Sequence, residues 1–122
     1  MSIRIAACQY ATVLGDKEAN LQLSLEWLDR AGREQVQLVA LPELITTGYA
    51  VGEKMLELAE PVPGPTTDRW GQMARRYGYY IIGGLARRHS EGSGVIYNSA
   101  VLINPAGEVQ GIYTKVVPPL YL

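Results

Sequence analysis

Apolar and polar positions along this chain alternate between two rhythms. From Ile3 to Gln9 the repeat is every second residue, with Ile3, Ile5 and Ala7 on one side and Ala6 and Cys8 on the other, which predicts a strand. After a turn near Gly15, Asp16 is placed to cap a helix in which Leu21, Leu25 and Leu28 recur at helical spacing. Trp27 and Ala31 widen that stripe, and Gly32 is the expected stop. Val36 to Leu41 is the second predicted strand, and its four consecutive apolar residues Leu38 to Leu41 read as buried on both faces and ended by Pro42, which cannot donate to a ladder. Glu53 to Ala59 suggests a short helix, followed by a rigid Val62-Pro63-Gly64-Pro65 connector. A further helix begins at Thr66 or Thr67, buries Trp70, Met73, Ala74 and Tyr77, and ends at Gly78. Tyr79 to Gly84 and Val95 to Ile103 complete the strands before a turn at Asn104-Pro105-Ala106-Gly107, which reverses the chain into Val109 to Thr114. Ser90 to Gly94 reads as a flexible turn.

The opening strand, helix and strand form a β-α-β unit that favours parallel pairing, so the fold class is α/β. At 122 residues there is room for one domain of ordinary size. No apolar run approaches the roughly 18 residues of a membrane span, and the start lacks a signal-type apolar core, which leads to the expectation of a cytoplasmic protein. A formal net charge of -1 argues against nucleic acid or anionic lipid as an organising partner. Arg87-Arg88-His89 reads as a solvated loop. One cysteine makes no internal disulfide, and no Cys/His spacing suits zinc.

Three residues stand out as candidate chemistry. Glu43 lies just past a strand end, where open α/β sheets bind ligands. Its apolar neighbours Leu41, Leu44 and Ile45 would raise its pKa towards that of a general base. The alternative is an ordinary surface glutamate. Tyr49 either lines the mouth of a pocket or packs beside the Thr46-Thr47-Gly48 turn. Lys115, at the end of the last strand and before Val116-Val117-Pro118-Pro119, is an ion-pair or oxyanion candidate, or simply an exposed strand-end lysine. Cys8, in the middle of an apolar strand, reads as a small core residue. Gly83-Gly84 is not followed by the residues of a phosphate loop.

Gln9, Asn20-Leu21, Leu41-Pro42-Glu43-Leu44 with Gly48-Tyr49, Gly64-Pro65, Tyr97-Asn98-Ser99-Ala100, the Gly107 hairpin and Tyr113-Thr114-Lys115 together resemble the N-terminal part of the nitrilase, or carbon-nitrogen hydrolase, superfamily. The resemblance covers nearly the whole chain and implies part of an α-β-β-α sandwich, a mixed sheet with flanking helices. It also implies hydrolysis of an amide, nitrile or carbamoyl group by a Glu-Lys-Cys constellation with no metal or organic cofactor. On this resemblance Glu43 is the general base and Lys115 the cation facing the tetrahedral intermediate. The family's nucleophilic cysteine lies on a later strand, beyond Lys115, and Cys8 does not take its place. Val117-Pro118 stands where the family usually continues with a His-Leu-like pair.

Residues 1-122 are therefore expected to be an incomplete domain, its C-terminal half absent and the chain inactive alone. The expected partners are a small amide or nitrile, and a second copy or a complementing C-terminal half that covers exposed sheet. A non-catalytic binding or assembly module derived from the same fold is the alternative.

Overall fold

In the computed structural model, which describes residues 1–89 and 94–116, five strands form one sheet in the order of the chain. These are β1 (Ile5–Ala7), β2 (Leu38–Ala40), β3 (Tyr80–Arg88), β4 (Ile96–Ile103) and β5 (Val109–Thr114). β1, β2 and β3 pair in parallel, whereas β3, β4 and β5 pair antiparallel. The parallel connections are helical: α1 (Lys17–Gly32) joins β1 to β2, and α3 (Pro65–Tyr77) leads into β3. A 3-10 turn (Gly52–Lys54) and the short α2 (Met55–Leu58) lie between β2 and α3. Of the turn expected at Ser90 to Gly94, residues 90–93 lie outside the described residues, as does the Val117-Pro118 segment.

Both long helices cover the same side of the sheet. Leu21, Leu28 and Ala31 of α1 and Trp70 and Ala74 of α3 pack on Val39, Ile81, Val101 and Ile103, with Cys8 in the same buried cluster. Cys8 is thus the core residue its surroundings suggested. Asp16 caps α1 by accepting from the Ala19 N–H. Gly64 has no side chain to cap α3, and the buried Glu60 does so instead, accepting from the Thr66 N–H at 2.8 Å. Pro65 occupies the first helical position, where its missing N–H costs no hydrogen bond. Gly78 ends α3 in the left-handed conformation, at φ 70°.

Several sequence expectations need correction. α1 does end at Gly32, but not through a left-handed glycine, since its cap is Arg33 in the right-handed region. Gly32 instead makes room for the Tyr77 ring, whose Cγ would lie 2.4 Å from an added Cβ. β2 is not buried on both faces: Val39 is enclosed, while Leu38 and Ala40 are only half covered. β3 runs four residues past Gly84, so Arg87 and Arg88 belong to a strand and not to a solvated loop. Arg87 bonds Ser99 Oγ and Thr114 Oγ1 and lies over the Tyr97 ring, while Arg88 donates to the Ala59 carbonyl.

Among the described residues, the second side of the sheet is covered at one end, where Leu44 and Ala59 bury Ala86. Strand alternation and the register place Ile5, Tyr80, Ile82 and Tyr113 on that same side, and they are 54%, 39%, 38% and 66% exposed. One face of the sheet therefore carries a closed core, and the other an apolar surface open to water.

Gly83 and Gly84 serve opposite faces of β3. An added Cβ at Gly83 would lie 2.3 Å from the Trp70 ring, which is fully buried and held by its Nε1–H bond to Ser24 Oγ. The Gly83→Ala protein is expected to be less stable by about 2–3 kcal/mol in urea denaturation. Combined with Trp70→Leu, the total cost should fall short of the sum of the two single changes, because the clash is then gone.

Candidate functional site

Glu43 lies just past the end of β2, as expected, and is carried on an excursion of the chain. Leu41 N–H donates to the Ile82 carbonyl, and pairing to the same strand then resumes with Ile45 N–H on the Gly84 carbonyl. Pro42, Glu43 and Leu44 are looped out between these two bonds. Pro42 fits there because it has no N–H to lose; β2 ends ahead of it, and a further bond to β3 follows the excursion. An added Cβ at Gly84 would lie 2.8 Å from Glu43 Cα and 2.9 Å from Leu44 N, so only glycine lets the excursion lie flat on β3. Leu44 has a φ of 47°, unfavourable for a residue with a side chain. Hydrogen bonds from the Ile45 N–H to the Gly84 carbonyl and from the Gly48 N–H to the Leu44 carbonyl hold that geometry.

Behind the excursion, the fully buried Asn20 donates to the carbonyls of Val13 and Thr46 and accepts from the Val13 N–H, at 2.7–3.0 Å. It ties the loop after β1 to the segment that follows Glu43, and all its contacts are satisfied.

Lys115 reaches the same point from the far edge. In the β4–β5 register, Ser99 faces Thr114, and the Lys115 N–H bonds the Asn98 carbonyl at 2.9 Å. Alternation puts Ala100 and Asn98, and Tyr113 and Lys115, on the open face, while Ser99 and Thr114 turn to the other side and meet Arg87. The three elements converge on one carboxylate. Glu43 Oε1 accepts from Lys115 Nζ at 2.9 Å and from Asn98 Nδ2 at 2.6 Å, and Oε2 accepts from the Tyr49 hydroxyl. Of the predicted residues, Glu43, Lys115 and Tyr49 are thus brought together, and Tyr49 is a hydrogen-bond partner of the acid. Asn98 was not singled out. It could have been found from its place opposite Lys115 in the hairpin, where the two side chains share a face.

The electrostatics reverse the sequence expectation for Glu43. Its pKa is not raised but lowered to about 2, first by the Tyr49 hydroxyl, then by Lys115 and Asn98, all of which favour the charged form over the opposing effect of burial. Its apolar neighbours do not set its pKa because Leu44 and Ile45 turn into the protein, whereas the Glu43 side chain stays exposed among donors. The Cys8 thiol, by contrast, is pushed up by burial, as expected of an inert core cysteine. A cavity of about 420 Å³ opens beside the carboxylate, floored by Ile82, Gly84, Ala100 and Tyr113 and flanked by Lys115. Among the described residues no group of three or more His, Cys, Asp or Glu is arranged to hold a metal ion.

Tyr49→Phe should raise the Glu43 pKa, followed by the side-chain carboxyl shift in NMR. Because the folded pKa lies below the unfolded value near 4.5, the charged carboxylate stabilises the fold above that pH, and the contribution is lost as pH falls towards 2. Glu43→Gln should accordingly flatten the pH dependence of stability across that window.

Comparison with known proteins places the chain in a family. The carbon-nitrogen hydrolase family model matches residues 4–120. The chain is 33% identical to a nitrilase of Pyrococcus abyssi, over 93% of this chain and 43% of that protein. It is 35% identical to an omega-amidase of Xenopus tropicalis, over 82% and 35%. Among solved structures, an amidase from Nesterenkonia sp. superposes with a TM-score of 0.77 at 28% identity, covering 94% of this chain and 43% of that one. An N-terminal amidase superposes at 0.83 with 19% identity, covering 97% and 29%, a likeness of fold. The chain spans less than half the length of each of these proteins. No helix among the described residues is long and apolar enough to cross a membrane. With a family model covering nearly all of its residues, and with the nitrilase fold in its sheet and helices, this chain belongs to the carbon-nitrogen hydrolase family.

Proposed function

We propose that this chain supplies the acid-base and charge-stabilising part of a hydrolase for non-peptide carbon–nitrogen bonds, with an amide as substrate ahead of a nitrile or carbamoyl group. The observation that carries the reading is the meeting of Glu43 and Lys115 at 2.9 Å beside an open cavity, from elements far apart in the chain. The nucleophilic thiol comes from residues outside these 122, because Cys8 is buried under α1, on the opposite side of the sheet. The exposed face formed by Ile5, Tyr80, Ile82 and Tyr113 is where the complementing half of the sandwich packs, or where a second copy associates.

In the assembled enzyme the thiol loses its proton to Glu43 as sulfur bonds to the carbonyl carbon. The carbonyl π pair moves onto oxygen, and the Lys115 ammonium stabilises that charge. Glu43 then returns the proton to the departing nitrogen. With the amine gone, Glu43 draws a proton from the water that attacks the acyl carbon, the S–C bond breaks as the acid leaves, and the proton returns from Glu43 to sulfur. A carboxylate of pKa about 2 is a weak base, and one event strengthens it. Covering the site removes water from a side chain that is exposed in this chain, which raises its pKa while its donors stay in place. An exposed, strongly hydrogen-bonded glutamate is in this sense a base held in reserve.

The chain alone should release no ammonia from amides. Mixed with a polypeptide carrying the remainder of the domain and its cysteine, it should do so, and Glu43→Gln or Lys115→Ala should each lower the rate by about 10³-fold or more. Ammonia release by the unaccompanied chain, or full activity of the Glu43→Gln mixture, would contradict the reading.

A further inference from the structure

The two oxygens of Glu43 are not equivalent. Oε1 accepts both the Lys115 ammonium and the Asn98 amide, whereas Oε2 accepts the Tyr49 hydroxyl. A carboxylate offers about four acceptor positions, two on each oxygen. Oε1 is therefore filled, and a proton placed on it would point at an N–H donor. Oε2 keeps one position. When a carboxylate becomes a neutral acid, the oxygen without the proton remains a good acceptor, so the Asn98 bond survives protonation at Oε2 and is lost on protonation at Oε1. The orientation of the Asn98 amide follows from the same chemistry, because an ionised carboxylate only accepts and so faces Nδ2.

We infer that Asn98 is the positioning residue of this site: by pinning Oε1 it leaves Oε2, next to the Tyr49 hydroxyl, as the oxygen that takes and returns the proton. Asn98 does so from both ends. Its side chain holds the carboxylate, and its main-chain carbonyl holds the Lys115 N–H at 2.9 Å, so one residue on β4 fixes the spacing between acid and amine. Its own place is set by the β3–β4 ladder, in which it lies opposite Ala86. Among the described residues, the titratable side chains bordering the carboxylate are Lys115, Tyr49 and Tyr113, and Tyr113 makes no hydrogen bond to it. The inference rests on Glu43 being the base, and it adds which oxygen reacts and what aims it. The proton leaves sulfur for Oε2, the sulfur pair forms the S–C bond, and the proton later passes from Oε2 to the departing nitrogen.

Two measurements test this. In the 122-residue chain, the Asn98 side-chain amide proton should stay at its hydrogen-bonded shift while pH is lowered and the Glu43 carboxyl begins to protonate. Asn98→Ala should raise the Glu43 pKa by less than Tyr49→Phe does. An amide proton that returns to the solvent-exposed shift in step with Glu43, or a Glu43 pKa unmoved by Asn98→Ala, would overturn the assignment. In the complemented enzyme, Asn98→Ala should lower kcat by about 10- to 100-fold with KM within about threefold, and shift the acid limb of the kcat/KM profile upward. The isosteric Asn98→Asp, which cannot donate when ionised, should be slower than Asn98→Ala. An Asp variant as active as the parent, or a change confined to KM, would overturn the positioning role. Unchanged activity in Glu43→Gln would instead remove the functional reading and leave the NMR result standing.

Discussion

The candidate site depends on how closely one stretch of backbone approaches another. Glu43 and Leu44 lie against Gly84 at a distance that any side chain on β3 would forbid, and on the reverse side of that strand Trp70 lies as close to Gly83. The two glycines make β3 thin at one point. A buried aromatic ring anchors the strand from the helix side, while the looped-out excursion uses the space on the other. The acid is carried on backbone fixed from both directions: bonds to Ile82 and Gly84 flank it, and Asn20 secures the segment behind it. The unfavourable φ at Leu44 is tolerated because these bonds leave the chain no other route.

Within that frame the electrostatics are those of an open site. Three donors reach the carboxylate and little covers it, so hydrogen bonding outweighs desolvation and the charged form is favoured. The same groups under a lid would behave differently, since the cost of charge rises when water is removed while the number of donors stays the same. The basicity of Glu43 is a property of the assembled protein, and these residues determine only its starting value.

How much of this was legible in the sequence differed by feature. The helices and strands followed from periodicity, and Gly78 and Asp16 acted as the ends of elements they resembled. Gly32 also stands at the end of α1 but for another reason, because a glycine at a helix end reads the same whether it turns the chain or admits a Tyr77 ring from another helix. β3 was cut short at Gly84 for a related reason: glycine ordinarily interrupts a strand, and its use here, for close approach from both faces, depends on partners distant in the chain. Glu43 and Lys115 were identifiable as candidates. The pKa of Glu43 was misjudged because the apolar neighbours in sequence point inward, and the three donors that matter come from Tyr49, Asn98 and Lys115. The bare sheet face was foreshadowed by Ile3, Ile5 and Ala7, apolar residues on the side of the first strand away from Cys8.

The two charges are mounted with unequal firmness. The acid sits on an excursion braced by the centre of the sheet, whereas the amine ends β5, an edge strand among the described residues with only β4 beside it. If something must give way to let a bound molecule in between them, the lysine end will move and the glutamate will stay. Whatever approaches along that edge therefore controls how far the cation stands from the anion.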